Sequence, residues 1–339
     1  MKRTWILGFL LTALNAAVHA QAPGESEQRP VPAAPALPSY RLDPQSLTIS
    51  GVSSGAYMAV QMQVAFSSIF KGAASVAGGV YGCAEADAGR AQDECTVHPE
   101  KIRVADQVQN ARAFAAHGLI DPTSNLARHQ VYLFSSPKDS IIKAENSEKL
   151  AEFYQAFNIA GVQHDSTLES AHGFPTLDQG APCTRGLLPW LLDCGFDTAG
   201  KILEKMYGPL KARGTADPSR LRPFSQMDFG TESTPLFSNG WVYVPEACER
   251  GATCRLHVAL HGCQMNPNWI QDKFARLAGY NEWAETNQIV VLYPQSAKLG
   301  TVNPYSCWDW FGFTGPDYAN KKGAQMRALM GMINRIQGL

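Results

Sequence analysis

An α/β fold, with a mostly parallel sheet covered by helices on both faces, is the class this sequence predicts, and three observations carry it. Continuous apolar strands alternate with helical stretches from residue 47 onward. The run Gly51-Val52-Ser53-Ser54-Gly55 stands between a β-type segment and an apolar helix. The 339 residues are ordinary in composition, 45% hydrophobic and 17% charged, which excludes a disordered, fibrous or coiled-coil chain. At roughly 100 to 200 residues per domain the length admits two domains, but α/β domains often run longer as one unit. No internal repeat or second low-complexity linker divides this one.

The elements follow in order. Lys2 and Arg3 form a basic start, Trp5 to Leu14 a short apolar run, and Val18-His19-Ala20 a small-residue cleavage site, so residues 1–20 read as a secretory signal peptide. A membrane anchor would need about 20 apolar residues, and this run is shorter. The Pro- and Ala-rich stretch 21–38 reads as a flexible leader, and residues 39–339 as one domain. Within it Leu47–Ser50 predicts a strand, Ala56–Phe66 a buried helix, and Ala73–Ala77 a strand ending at Gly78-Gly79. Val131–Ser135 predicts a strand, Glu145–Phe157 an amphipathic helix and Val162–Leu168 a further strand. Asp197 is a helix cap for a segment running to Tyr207, and Trp241–Val244 follows the turn signal Asn239-Gly240. Leu256–Leu260 and Ile289–Tyr293 are apolar strands flanking a helix near Phe274–Thr286, and a helix over Lys322–Ile336 comes last.

Formal charge is −1, from 29 Lys and Arg against 30 Asp and Glu, so no basic field favours nucleic acid or an anionic membrane surface. No later segment is apolar for long enough to span a membrane. Export makes the 8 cysteines read as disulfides, although an even count admits many pairings. Cys83 and Cys95, Cys183 and Cys194, and Cys248 and Cys254 each bracket a short loop, which leaves Cys263 and Cys307. A zinc site is the weaker reading, because there is no CxxC pair.

Gly-x-Ser-x-Gly alone is a weak signal, but a strand before it and an apolar helix after it are the setting of a nucleophile elbow. Tight-turn glycines there thrust Ser53 out with its hydroxyl exposed. A serine hydroxyl needs a base within hydrogen-bonding reach and a carboxylate to orient that base, and in this fold acid and then histidine follow the serine. Asp139 lies just after the buried strand VYLFS, and His172 in the loop Ala171-His172-Gly173. His98, His117 and His129 precede Asp139, His164 and His257 fall in strands, and His261 belongs to another motif. Asp165 and Asp178 lie too near His172 to supply a separate strand-end loop. The Ser54 amide is the expected first oxyanion donor. The second usually comes from a His-Gly loop before the serine, whereas here LHVAL runs into His261-Gly262-Cys263-Gln264 far after it. That order predicts a circularly permuted α/β-hydrolase fold. A Cys263–Cys307 bridge would clamp this loop to Trp308-Asp309-Trp310-Phe311, with Trp308 and then Trp310 as candidate walls of an apolar substrate cleft.

With GVSSGAYMA (51–59), SVAGGVYGCA (75–84), VYLFSSPKDSII (131–142), AHGFPT (171–176), LHGCQ (260–264) and NPYSCWDWF (303–311), the chain resembles the catalytic domain of poly(3-hydroxybutyrate) depolymerases whose oxyanion segment follows the lipase box. The resemblance implies Ser53, Asp139 and His172 as triad and the amides of Ser54 and Cys263 as oxyanion hole, with no metal or organic cofactor. It departs at Pro137-Lys138, where members often have Gly-Thr before the acid. With the signal peptide, the expectation is a secreted or periplasmic serine esterase acting on polyester, as a monomer. With no polymer-binding module read in the sequence, amorphous polymer and 3-hydroxybutyrate oligomers are the expected substrates. A general or feruloyl-type carboxylesterase, or a non-catalytic binding protein on the same scaffold, are the alternatives.

Overall fold

Eight strands form the central sheet of the computed structural model, which describes residues 34–231 and 233–339. The expected signal peptide and most of the leader lie outside the described residues. Strands β1 (Thr48–Val52), β2 (Gly72–Val76), β3 (Gln130–Phe134) and β4 (Val162–Asp165) run outward from the middle. A small three-stranded sheet follows, made of β5 (Phe174–Thr176), β6 (Ala181–Pro182) and β7 (Leu191–Asp193) in the order β5-β7-β6. The chain re-enters the main sheet at its opposite edge through β8 (Leu221–Ser225) and β9 (Asn239–Tyr243), and completes it with β10 (Arg255–Leu260) and β11 (Ile289–Tyr293).

The spatial order is β4-β3-β2-β1-β10-β11-β9-β8. Six strands are parallel, while β9 is antiparallel to β11 and β8 to β9. The strand leading to Ser53 is therefore central and pairs with β10, Ser50 opposite Ala259. In an α/β-hydrolase sheet these are the nucleophile strand and the strand that feeds the oxyanion loop. Here the nucleophile strand comes first in the chain, which is the permuted arrangement. Paired β-strands covered on both faces need apolar residues at successive positions, as TISGV and IVVLY show by being wholly buried.

Alternate residues feed two cores. Ile49, Ala73, Val131, Val258 and Val290 face one way, toward helices α1 (Ser54–Ala65), α2 (Val104–Ala116), α3 (Glu145–Gln155) and α6 (Ala324–Gln337). Ala74, Tyr132, Ala259 and Val291 face the other way, toward α4 (Thr198–Tyr207) and α5 (Tyr280–Asn287). Every residue of α1 is buried, as an apolar helix at the centre of a covered sheet must be. The Asp197 side chain caps α4 as expected, accepting from Gly200 N–H at 2.8 Å.

Several expectations need correction. Residues 35–37 are not leader: Pro35 O accepts from Ser225 N–H at 2.7 Å, Ala36 pairs with Ser225 and Leu37 is buried. Proline fixes an extended φ, which suits that edge pairing. The first strand runs to Val52, and the fourth ends at Asp165 rather than Leu168. Asn239-Gly240 lies inside β9, because Gly240 packs against Phe224, where a Cβ would stand 2.6 Å from the ring. The helix expected near Phe274–Thr286 is two pieces, Lys273–Leu277 and α5, parted by Gly279 at φ 91°. Helix α2, strand β8 and the small sheet were not anticipated.

Candidate active site

Ser53 sits between β1 and α1 at φ 56° and ψ −123°, a strained setting for a residue with a side chain. The flanking glycines are obligatory. A Cβ on Gly51 would lie 2.1 Å from Gly55 O, and one on Gly55 would lie 2.3 Å from His261 O. The turn and the oxyanion loop therefore touch backbone to backbone. Asp139 and His172 come from the loops after β3 and β4, at the same end of the sheet.

The side chains meet in a relay. His172 Nδ1 donates to Asp139 Oδ2 at 2.7 Å, and Nε2 lies 3.0 Å from Ser53 Oγ. The other oxygen of Asp139 accepts from the amides of Ile141 (2.8 Å) and Ile142 (2.9 Å), which fixes the carboxylate. Pro137-Lys138 does not displace it, since Lys138 N–H closes the loop on Ser136 Oγ at 3.1 Å. Ser136 Oγ also donates to Ser170 O (2.7 Å) and accepts from Ser170 N–H (2.9 Å), tying the acid loop to the histidine loop. Ala171 N–H donates to Cys183 O at 2.8 Å, and Cys183 is bridged to Cys194.

The loop after β10 brings Cys263 beside Ser53 in one cleft. Among the described residues neither the Ser54 nor the Cys263 amide donates to a protein acceptor, which leaves both available to an oxyanion. Fully buried His261 holds this loop. Its ring bonds Gly262 O through Nδ1 (2.6 Å) and Ser296 N–H through Nε2 (3.2 Å). A carbonyl only accepts and an amide N–H only donates, so the ring is the neutral Nδ1–H tautomer. Burial agrees, pushing the imidazole down to about 4. Gly262 C=O and Cys263 N–H belong to one planar peptide, so anchoring the carbonyl fixes the direction of the amide. Beyond it, Cys263 is bridged to Cys307 and Gln264 N–H donates to Tyr305 O at 2.7 Å. All four expected cysteine pairs are bonded.

The cleft holds about 160 Å³ and is walled by Ile141, Ile142, Trp190, Met265 and Trp310 around Ser53. Trp310 stacks on Tyr57 with centroids 4.7 Å apart. Trp308 does not reach the cleft: it is fully buried behind the oxyanion loop, 5.6 Å from the His261 ring, and its main-chain N–H donates to Ser54 Oγ at 3.3 Å. In an extended strand residues 308 and 310 would share a face, but the chain bends at Asp309 and Trp310, so one tryptophan enters the core and the other the cleft. Trp190, edge-on to His172 at 6.2 Å, was missed. Its only sequence signal was its place in the loop bracketed by Cys183 and Cys194, which follows the histidine loop in the chain. Among the described residues no three His, Cys, Asp or Glu side chains gather as metal ligands would.

Fold and site together define a serine hydrolase built on a permuted α/β-hydrolase sheet. The chain is 41% identical over 312 residues to the poly(3-hydroxybutyrate) depolymerase of Delftia acidovorans, a match covering 90% of this chain and 62% of that one. It is 33% identical over 322 residues to the polyhydroxybutyrate depolymerase of Talaromyces funiculosus, covering 90% and 93%. This chain belongs to the poly(3-hydroxybutyrate) depolymerase family. Two solved structures superpose at TM-score 0.82, each covering 89% of this chain and 99% of the other. One is the PHB depolymerase from Penicillium funiculosum, at 32% identity, and the other a serine-to-alanine variant of a PHB depolymerase complexed with an R3HB trimer, at 31%. No protein-family model matches the sequence.

Proposed function

We propose that this chain is a secreted serine esterase that hydrolyses poly(3-hydroxybutyrate), acting best on amorphous polymer and on 3-hydroxybutyrate oligomers. The observation that carries the reading is the unbroken relay from Asp139 through His172 to Ser53, opening into an apolar cleft. Ser53 Oγ attacks an ester carbonyl carbon while His172 takes its proton. The negative oxygen that forms is met by the amides of Ser54 and Cys263. As the ester C–O bond breaks, His172 returns the proton to the departing hydroxyl end. Water then gives a proton to His172, attacks the acyl-serine carbonyl, and releases the hydroxyacid as Ser53 recovers its hydrogen. Asp139 keeps the imidazole in the tautomer that can do this.

An uncharged substrate suits a cleft walled by isoleucine, methionine and tryptophan. Four disulfides support an oxidising compartment, and among the described residues no helix is long and apolar enough to cross a membrane. Triad, oxyanion loop and cleft come from one chain, which supports a working monomer.

Ser53→Ala is expected to abolish release of 3-hydroxybutyrate from amorphous polymer, by at least about a thousandfold in kcat, with an unchanged melting curve. Unimpaired hydrolysis by that variant would end the assignment. A wild-type preference for feruloyl or other aryl esters over polymer and trimer would move the substrate to the carboxylesterase alternative.

A further inference from the structure

Between the two tryptophans of Cys307-Trp308-Asp309-Trp310 stands a carboxylate that the relay does not use. Asp309 is almost wholly buried, where a carboxylate is costly unless its oxygens are filled. They are: Oδ1 accepts from the amides of Gly312 (2.7 Å) and Phe313 (3.0 Å), and Oδ2 from the amide (2.9 Å) and hydroxyl of Thr314. Its main chain is held as well. Its N–H donates to Gln325 Oε1 on α6 at 2.6 Å, and its C=O accepts from Gln61 Nε2 on α1, the helix that follows the serine, at 3.0 Å.

What this arrangement fixes is the short arc from Trp310 to Thr314. One end is pinned by the main chain of Asp309 and the other by its carboxylate, so the ring of Trp310 has a defined place on Tyr57. Phe311 stands edge-on to Trp310 at 5.5 Å, and Phe313 packs on Phe311 at 5.1 Å, so the three rings form a continuous wall. Trp310 faces two spaces: the cleft of Ser53, and an adjoining cavity of about 250 Å³ bordered by Phe311, Tyr305 and Val302.

We infer that Asp309 is a positioning residue for the substrate, acting through Trp310: by gathering the amides of residues 312–314 it sets the wall against which a multi-unit ester chain lies. The inference rests on the esterase reading of Ser53. A carboxylate is required because only two fully accepting oxygens satisfy four donors. An asparagine keeps one oxygen and turns an NH₂ toward the Thr314 amide, donor against donor.

The test is steady-state kinetics on the 3-hydroxybutyrate trimer with Asp309→Asn, Trp310→Ala, their double variant and Thr314→Val, with Ser53→Ala as control and melting curves for each. Asp309→Asn is expected to raise KM for the trimer about tenfold with kcat within about twofold, the signature of lost binding rather than lost transition-state stabilisation. In the Trp310→Ala background the same change is expected to add nothing, because the wall it positions is gone. Thr314→Val, which removes one hydroxyl bond, raises KM in the same direction by less, and carries the test if Asp309→Asn does not fold. A wild-type KM in the folded Asp309 and Thr314 variants, or Asp309 and Trp310 effects that multiply, would overturn the role. Wild-type protein without Ser53-dependent hydrolysis of p-nitrophenyl acetate would instead bring down the esterase reading beneath it.

Discussion

Single side chains decide the chemistry through the partners that fix them, and His261 is the sharpest case outside the triad. Replacing it with leucine leaves Gly262 O and Ser296 N–H buried without partners and frees the peptide that carries the Cys263 amide. We expect kcat to fall roughly a hundredfold with little change in KM, the size of losing one oxyanion donor. Asparagine places an N–H where Nδ1 stands and is expected to recover part of that loss, measured on the same ester with melting curves alongside. The candidate triad was legible because chain order and strand-end placement follow from topology, and the side chain of His172 lies within hydrogen-bonding distance of those of Asp139 and Ser53. Trp308 was not, because which tryptophan faces the cleft depends on how the Cys263–Cys307 bridge turns the segment, a tertiary fact with no local signature. Trp190 was passed over because its loop reaches His172 only once the Cys183–Cys194 bridge folds it back.

Elements meet through backbone contact at the elbow, so glycine substitutions there act on two elements at once. Gly55→Ala would place a methyl 2.3 Å from His261 O and 2.6 Å from Leu260 O, which are main-chain atoms at the end of a buried strand. The expected outcome is a loss of about 1 to 3 kcal/mol in denaturant unfolding and a larger loss of esterase activity, since the oxyanion loop must move away from Ser53. Wild-type activity in that variant would show that the loop tolerates displacement. Of the strands that were readable, β1, β2, β3, β10 and β11 are buried on both faces, where successive residues are mostly apolar or small. Strand β8, Leu-Arg-Pro-Phe-Ser at the sheet's edge, carries too little of that pattern to be seen. At Asn239-Gly240 a local turn preference lost to packing, because Phe224 on the neighbouring strand fills the space above the glycine.

Over the whole molecule, three buried histidines give stability a dependence on pH. Burial pushes His129 and His261 down to about 4 and His257 to about 3. Below the ordinary histidine value of about 6.5 the unfolded chain binds protons that the folded one refuses, so unfolding free energy falls as pH drops. The effect starts near pH 6.5 and runs to about 4 for His129 and His261 and to about 3 for His257. At pH 5 it is worth roughly 2 kcal/mol for each such histidine relative to neutral pH. Urea midpoints measured at pH 7, 6 and 5 are expected to decline through that range, and His257→Gln to flatten the decline. A constant midpoint would mean that these rings are not held neutral. His257 also joins the two halves of the site, since Thr48 and Ser50 on β1 bond its ring on β10.

That junction of β1 and β10 also sets an order in time. The strand bearing the serine is made early, and its neighbour with the oxyanion loop follows after about 200 residues, roughly 10 to 40 s later at ordinary rates of synthesis. Until then the serine has a base, an acid and the Ser54 amide within its own half but lacks the second amide, that of Cys263. Placing that loop about 200 residues after the serine means that a growing chain carries the serine well before the loop that would complete its oxyanion site.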